Sequence, residues 1–243
     1  MSCFQQQIDA LIKESCMIRE PWVRPSTVLP LLFPFYVLNT PFLYERRQNA
    51  LQQLRNVGVH DITTVHCGNI ADLQNTSCLT KFHFTSYGTF SLATKHLLAA
   101  RDIQLRNLPS GAIVEDDIEL IPKFQEMFLR SLQHVPNDAR MFHFASYRKE
   151  YHHAKDILKQ HKVSDTSVYM RNNQTSYIGT AGYVLFNPFL DEILIPIKSA
   201  YDIHFSQQAG IIKAPQPTYV SGIWLGGQSR KFTGGTHLKN ARM

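Results

Sequence analysis

Between Phe35 and Val65 the chain alternates a short apolar run, an amphipathic stretch and a second apolar run, and this pattern limits the fold more than any other feature. Phe35-Tyr36-Val37-Leu38 is too short for a helix and rich in strand formers, so it reads as a buried strand. Thr40-Pro41 supplies an N-cap and a first helical residue. Leu43, Arg47, Ala50, Leu51, Leu54 and Val57 then recur on one helical face, and Gly58 closes the helix. Ile62 to Val65 is the next strand. A strand–helix–strand unit with short connections starts a parallel sheet whose face the helix covers. The expected fold is therefore α/β, a mostly parallel central sheet flanked by helices.

The rest of the chain continues the pattern. Phe90, Ala93, Leu97, Leu98 and Arg101 share a face of a helix running to Leu105, and Leu108-Pro109-Ser110-Gly111 turns the chain into a strand, Ala112-Ile113-Val114. Pro122 opens a helix bearing Phe124, Met127, Phe128, Ser131, Leu132 and Val135, which Pro136-Asn137 ends. Met141 to Ala145 and Tyr177 to Phe186 read as strands, and Asn187-Pro188 caps a helix to about Ile195. Residues 147–176 are polar and hold Tyr151-His152-His153, the mark of an excursion from the core. Residues 1–30 read as an N-terminal extension, helical over Gln6 to Met17 and broken by Pro21 and Pro25. Residues 31–243 form one domain ending in a flexible basic tail from Gly222.

Charge and cysteine usage narrow the function. The chain has 25 Lys+Arg against 19 Asp+Glu, a scattered surplus too small to argue for nucleic acid. Cys3, Cys16, Cys67 and Cys78 form no CxxC pair and read as reduced thiols. Val28 to Leu38 is too short to span a bilayer and contains Pro30 and Pro34, and no transmembrane segment is expected. The first residues lack the charged-then-apolar pattern of a signal peptide. The sequons at Asn75 and Asn173 are accordingly taken as chance, and the expected location is cytoplasmic. His134, His143, His152, His153 and His161 lack the pairing with each other or with acids that a metal site needs.

Ala112-Ile113-Val114-Glu115-Asp116-Asp117 is the string that speaks to chemistry. In open α/β sheets ligands bind beyond the carboxyl ends of the strands. Successive carboxylates at such an end repel one another, and a hard divalent cation relieves that repulsion. Oxygen ligands suit Mn²⁺ or Mg²⁺, which also bridge a diphosphate. The alternative is a solvated acidic loop, favoured by the N-terminus of the following helix. On the triplet alone the two readings stand level.

The order of several strings adds to this. Tyr36-Val37-Leu38-Asn39, Glu45-Arg46-Arg47, Ser91 and His96 within one helix, the Glu115-Asp116-Asp117 strand end, Gly179-Thr180-Ala181-Gly182-Tyr183 and Pro196 through Asp202 together resemble glycosyltransferase family 25, over roughly residues 35–229. That family comprises lipopolysaccharide-type and collagen galactosyltransferases. The resemblance implies a GT-A fold and inverting transfer of a hexose, galactose or glucose, from a UDP-sugar donor to a glycan or other hydroxyl acceptor, with Mn²⁺ or Mg²⁺. By the same resemblance Asp117 ligates the metal with Asp116 beside it, and Glu115 orients the ribose or the motif itself. Asn39 lies near the nucleotide, and Arg46 or Arg47 offers a phosphate a fork of donors. Two departures stand out: Ser91 and His96 lie farther apart than the family's pair, and so do Pro196 and Asp202.

Each assignment has a plainer competitor. The arginines fit a solvated helix face, and His96 fits a satisfied core histidine as well as a partner of the donor or the acidic motif. Asp202 is the candidate general base, with His204 two residues on, and otherwise an ordinary loop acid. His237 is a further candidate metal ligand, closing over the diphosphate from the tail. Two rival functions remain. A metal-dependent phosphodiesterase would need acids from several strand ends, which are not found here. A non-catalytic nucleotide-sugar-binding module would keep the fold without turnover.

Overall fold

The computed structural model describes residues 9, 10, 12, 16–21, 30–66, 87–145, 168–170, 181–186, 218–221 and 225–228. Their strands are β1 (Met17–Arg19), β2 (Phe35–Leu38), β3 (Ile62–Val65), β4 (Ser110–Glu115), β5 (Ile118–Leu120), β6 (Met141–Ala145), β7 (Val168–Met170), β8 (Gly182–Phe186), β9 (Thr218–Ser221) and β10 (Gly226–Gln228). The long helices are α1 (Tyr44–Asn56), α2 (Tyr87–Leu105) and α3 (Phe124–Leu132). No helix among the described residues is long and apolar enough to cross a membrane.

The strands form one 10-stranded sheet in the order β1-β3-β2-β4-β8-β6-β10-β5, with β9 on β6 and β7 on β9. It is mixed, which corrects the expectation of a mostly parallel sheet. β2 runs parallel to β3 and β4, and β6 parallel to β9 and β10. The other pairings are antiparallel: β1 on β3, β8 on both β4 and β6, β5 on β10, and β7 on β9. Strand burial is legible from apolar runs, whereas strand direction depends on connections that periodicity does not encode.

Alternation along β2 sorts the core into two layers. Tyr36 and Leu38 pack with Leu97, Leu98 and Ile103 of α2 on one face. Phe35 and Val37 pack with Leu51 and Leu54 of α1 and with Phe124 and Phe128 of α3 on the other. α2 is buried nearly all round from Ser91 to Ala100, so its polar residues Thr94, Lys95 and His96 lie inside the protein. At the end of α1, Gly58 takes φ 82°. Its N–H donates to the Arg55 carbonyl, and that of Val59 to Leu54, as in a Schellman closure. Asn107 at φ 52° ends α2 in the same way.

Three segments depart from the sequence expectations. The helix expected over Gln6 to Met17 is present at Asp9, Ala10 and Ile12, but Met17 itself belongs to edge strand β1. There Arg19 donates through Nη2 to both oxygens of Asp102, at 2.8 and 2.7 Å, and through Nη1 to Thr63 Oγ1. The polar stretch 147–176 contributes β7. Part of the glycine-rich tail forms β10, where a Cβ on Gly226 would meet the Glu119 carbonyl at 2.8 Å, so glycine here permits close backbone approach. The sequons at Asn75 and Asn173, Tyr151-His152-His153, His161, Tyr177 to Thr180 and the helix after Pro188 lie outside the described residues.

Candidate functional site

From β2 the chain crosses through α1 to β3, then returns past β2 to β4, so the order of strands reverses around β2. Reversals of this kind, at the carboxyl ends of parallel strands, are where open sheets bind ligands. Asn39 ends β2 and the acidic triplet ends β4, and the parallel register pairing Leu38 with Glu115 brings them side by side.

Asn39 Nδ2 donates to Asp116 Oδ2 at 2.7 Å and to the Leu43 carbonyl at 3.2 Å. The Thr40–Leu43 segment makes its own turn, Leu43 N–H to Thr40 carbonyl at 2.8 Å, and α1 starts only at Tyr44. The cap expected at Thr40-Pro41 is thus displaced, because Asn39 and Thr40 are engaged by the acidic motif and by Lys95. Lys95 Nζ donates to Thr40 Oγ1 and to Ser91 Oγ, both at 2.9 Å. In the first turn of α1, Arg46 Nη2 lies 2.6 Å from Asp116 Oδ1 and 2.8 Å from Asp117 Oδ2. Both aspartates are buried, at 5% and 6% exposure, and Glu115 is half-buried. Asp117 Oδ1 has no hydrogen-bond partner among the described residues.

Burial is the largest influence on both aspartates and raises their pKa values. For Asp116 the Arg46 charge, the Asn39 hydrogen bond, Lys95 and the Thr40 N–H oppose that rise. Asp117 is raised further by Glu115 and Asp116, with Arg46 opposing. The site thus favours added positive charge near Asp117.

Arg47 lies elsewhere: its Nη2 and Nε donate to Glu20 Oε1 at 2.6 and 3.2 Å. Consecutive helical residues point about 100° apart, so only one arginine of the pair reaches the carboxylates. Ser91 meets the site through Lys95. His96 is set back, its Nδ1 2.7 Å from Tyr183 Oη. Burial, helped by the Lys95 charge, holds the His96 pKa down at about 3, so the ring is neutral. Tyr183 is pushed up by burial and by Glu115. Asp202, His204 and His237 lie outside the described residues.

Sequence reasoning passed over Lys95 and His66, and gave Thr40 only a capping role and Tyr183 only a place in a strand motif. A lysine inside the apolar string Leu92 to Ala100 was the available signal, since a buried lysine requires partners. His66 follows β3 and has its pKa lowered by burial, then by Arg47 and Lys95, against Glu20.

The described residues contain no group of three His, Cys, Asp or Glu side chains able to hold a metal ion. Asp116 and Asp117 nevertheless fit a magnesium- or manganese-like ion bound with a nucleotide, because such ions take one or two carboxylates and complete their shells with phosphate oxygens and water. The partnerless Asp117 oxygen is the atom on which that fit rests.

No family model matches the chain, and no curated protein matches it. Among solved structures, it is similar to mouse xyloside xylosyltransferase 1 in its apo form, with TM-score 0.40, 12% identity and coverage of 79% of this chain and 85% of that one. It is also similar to A197 from STIV, with TM-score 0.42, 14% identity and coverage of 78% and 81%. At these scores neither likeness bears on what the chain does.

Proposed function

We propose that this chain is a metal-dependent glycosyltransferase that moves a hexose from a UDP-sugar to a hydroxyl acceptor with inversion, in the manner of the family 25 enzymes its motifs resemble. The observation that supports this most is the pair of buried aspartates beside Arg46 at the strand reversal, one of their oxygens lacking a partner. A loop acid whose role is only solubility has no reason to be buried against a like charge.

In this reading Asp117, with Asp116, binds the donor through Mn²⁺ or Mg²⁺, which when bound supplies Lewis-acid stabilisation of the departing diphosphate. Asn39 and the Thr40 N–H orient Asp116 and so fix the carboxylate geometry. Arg46 offers the diphosphate a charge-assisted contact. Asp202 takes the acceptor proton, on the strength of the family resemblance and its residue type, and His237 adds a metal ligand from the tail, on its residue type and place in the sequence alone. Galactose or glucose as the sugar, and action in the cytoplasm, rest on the same footing.

Calorimetry of UDP binding with Mn²⁺ and with EDTA tests the metal bridge, and a screen of UDP-sugars for turnover tests the reaction. Binding that needs the ion, with hydrolysis or transfer of one donor, is expected. Equal affinity in EDTA removes the metal from the mechanism, and binding without turnover of any donor leaves a binding module.

A further inference from the structure

The position beside Asp116 and Asp117 is already taken by a cation of the chain itself. Arg46 Nη2 contacts one oxygen of each aspartate, at 2.6 and 2.8 Å, with the arginine side chain 19% exposed and the carboxylates 7% and 9%. Asn39 takes the second oxygen of Asp116, and the second oxygen of Asp117 is left without a described partner. The aspartates are therefore bridged by the guanidinium but not saturated by it.

We propose that Arg46 is an internal counter-cation: it closes the aspartate pair to free divalent metal and moves onto the diphosphate when metal and nucleotide arrive together. The proposal rests on the reading above and concerns the order of binding, which that reading leaves open. A metal ion alone would have to share two carboxylates with a guanidinium, cation against cation, across a few ångströms of buried space. A metal–nucleotide complex brings its own anion, and the guanidinium exchanges two carboxylates for phosphate oxygens, which suit its planar fork equally well.

The surroundings support movement of this side chain rather than of its helix. Neighbouring Arg47 is tied to Glu20, which also accepts from Thr64 of β3, so the first turn of α1 is anchored to the sheet. Lys95 is held by Thr40 and Ser91 and its charge also acts on Asp116. Asp116 thus keeps a nearby positive charge and its Asn39 hydrogen bond while Arg46 is away. Arg46 is partly exposed, at 19%, so its side chain has an exit to solvent that Asp116 and Asp117 lack.

The test measures Mn²⁺ affinity by the free-ion EPR signal, with and without UDP, for the full chain and for Arg46→Gln. For the wild type, Mn²⁺ alone binds weakly and UDP strengthens it. For Arg46→Gln, Mn²⁺ alone is expected to bind roughly tenfold tighter and the mutual strengthening by UDP to shrink by a similar factor, within the usual range of coupling between two ligands. Unchanged or weaker Mn²⁺ binding in Arg46→Gln, with Mn²⁺-dependent UDP binding intact in the wild type, overturns the counter-cation and spares the proposed function. If neither protein binds Mn²⁺ with or without UDP, both fall. Should Arg46→Gln not fold, Arg46→Met decides. An uncharged side chain of similar length keeps the packing of the stem but leaves the carboxylates without the Nη2 bridge, so Mn²⁺ alone binds tighter than in the wild type, and equal affinity overturns the proposal.

Discussion

His96 makes the stability of this protein depend on pH in a way that can be isolated. The ring is buried, bonded to Tyr183 Oη at 2.7 Å, and neutral, its pKa near 3 because of burial and the adjacent Lys95. His143 lies across Tyr183, ring centroids 5.8 Å apart. In the unfolded chain the same ring titrates at about 6.5. Because the folded pKa is depressed, protons bind the unfolded state first, and stability is lost as pH falls below about 6.5 until the folded pKa is reached. Between about pH 7.5 and about pH 5 the loss is about 1.5 logarithmic units, or about 2 kcal/mol. Asp117 acts in the opposite direction. Its folded pKa is raised, so protonation as pH falls favours the folded state over part of the same window. The wild-type slope alone is therefore a sum of opposing terms. His96→Gln keeps a hydrogen-bonding partner for Tyr183 but cannot titrate. Urea denaturation of both proteins at the two pH values should show the variant losing about 2 kcal/mol less than the wild type on acidification. Parallel losses would mean that His96 is protonated in the fold or solvated, and the argument from burial would fail.

Asp117→Asn should abolish transfer yet raise stability near neutral pH by about 1 kcal/mol, because a charge held against burial, Glu115 and Asp116 is removed; full turnover in this variant moves the metal role elsewhere. Asp102→Ala should cost about 2–3 kcal/mol in denaturant unfolding, since it strands the fully buried Tyr36 hydroxyl that donates to Asp102 at 2.7 Å and frees Arg19; Arg106 donates to the same hydroxyl at 3.2 Å and cannot accept its proton, so a loss under about 1 kcal/mol would show that the hydroxyl reaches water or another acceptor. Asp202→Asn should leave Mn²⁺-dependent UDP binding intact while lowering kcat with acceptor by about 10²–10⁴-fold; lost UDP binding would place Asp202 on the donor side.

What the sequence made legible follows from which physical signals are local. Phe35–Leu38, Ile62–Val65 and Met141–Ala145 stand out as short runs rich in apolar or β-branched residues, and each is a strand with those bounds. The α1 face of Ala50, Leu51 and Leu54, and its end at Gly58, follow from helical spacing and from glycine's tolerance of positive φ. The direction of β8 between β4 and β6 is not local, and neither is β1, whose three residues carry no period and gain their structure from β3. At the site, the triplet's place at a strand end was readable, but the choice between Arg46 and Arg47 was not. Glu20, distant in sequence, claims one, and the aspartates claim the other. Lys95 was hidden for a related reason. A helix read by its apolar face treats a lysine as solvated, whereas α2 is buried on both sides.

The places where local rules fail are also the places where charge collects. Thr40 is a good helix cap by type, yet its hydroxyl accepts from Lys95 and its N–H donates to Asp116, and the helix begins four residues later. Asn39, another good cap, turns its amide to Asp116 instead. A fold selected for stability alone would keep these caps, each worth about 1 kcal/mol, and would not bury two aspartates beside a glutamate. Arg46 and Lys95 offset only part of that repulsion, since the Asp117 carboxyl still stands above its ordinary range. Local preference is given up and like charge retained around Asp117 Oδ1, which has no hydrogen-bond partner among the described residues. Conflicts between levels of structure that converge on one point mark a site shaped for something other than folding, and carboxylates crowded there suit the added positive charge that the proposed function requires.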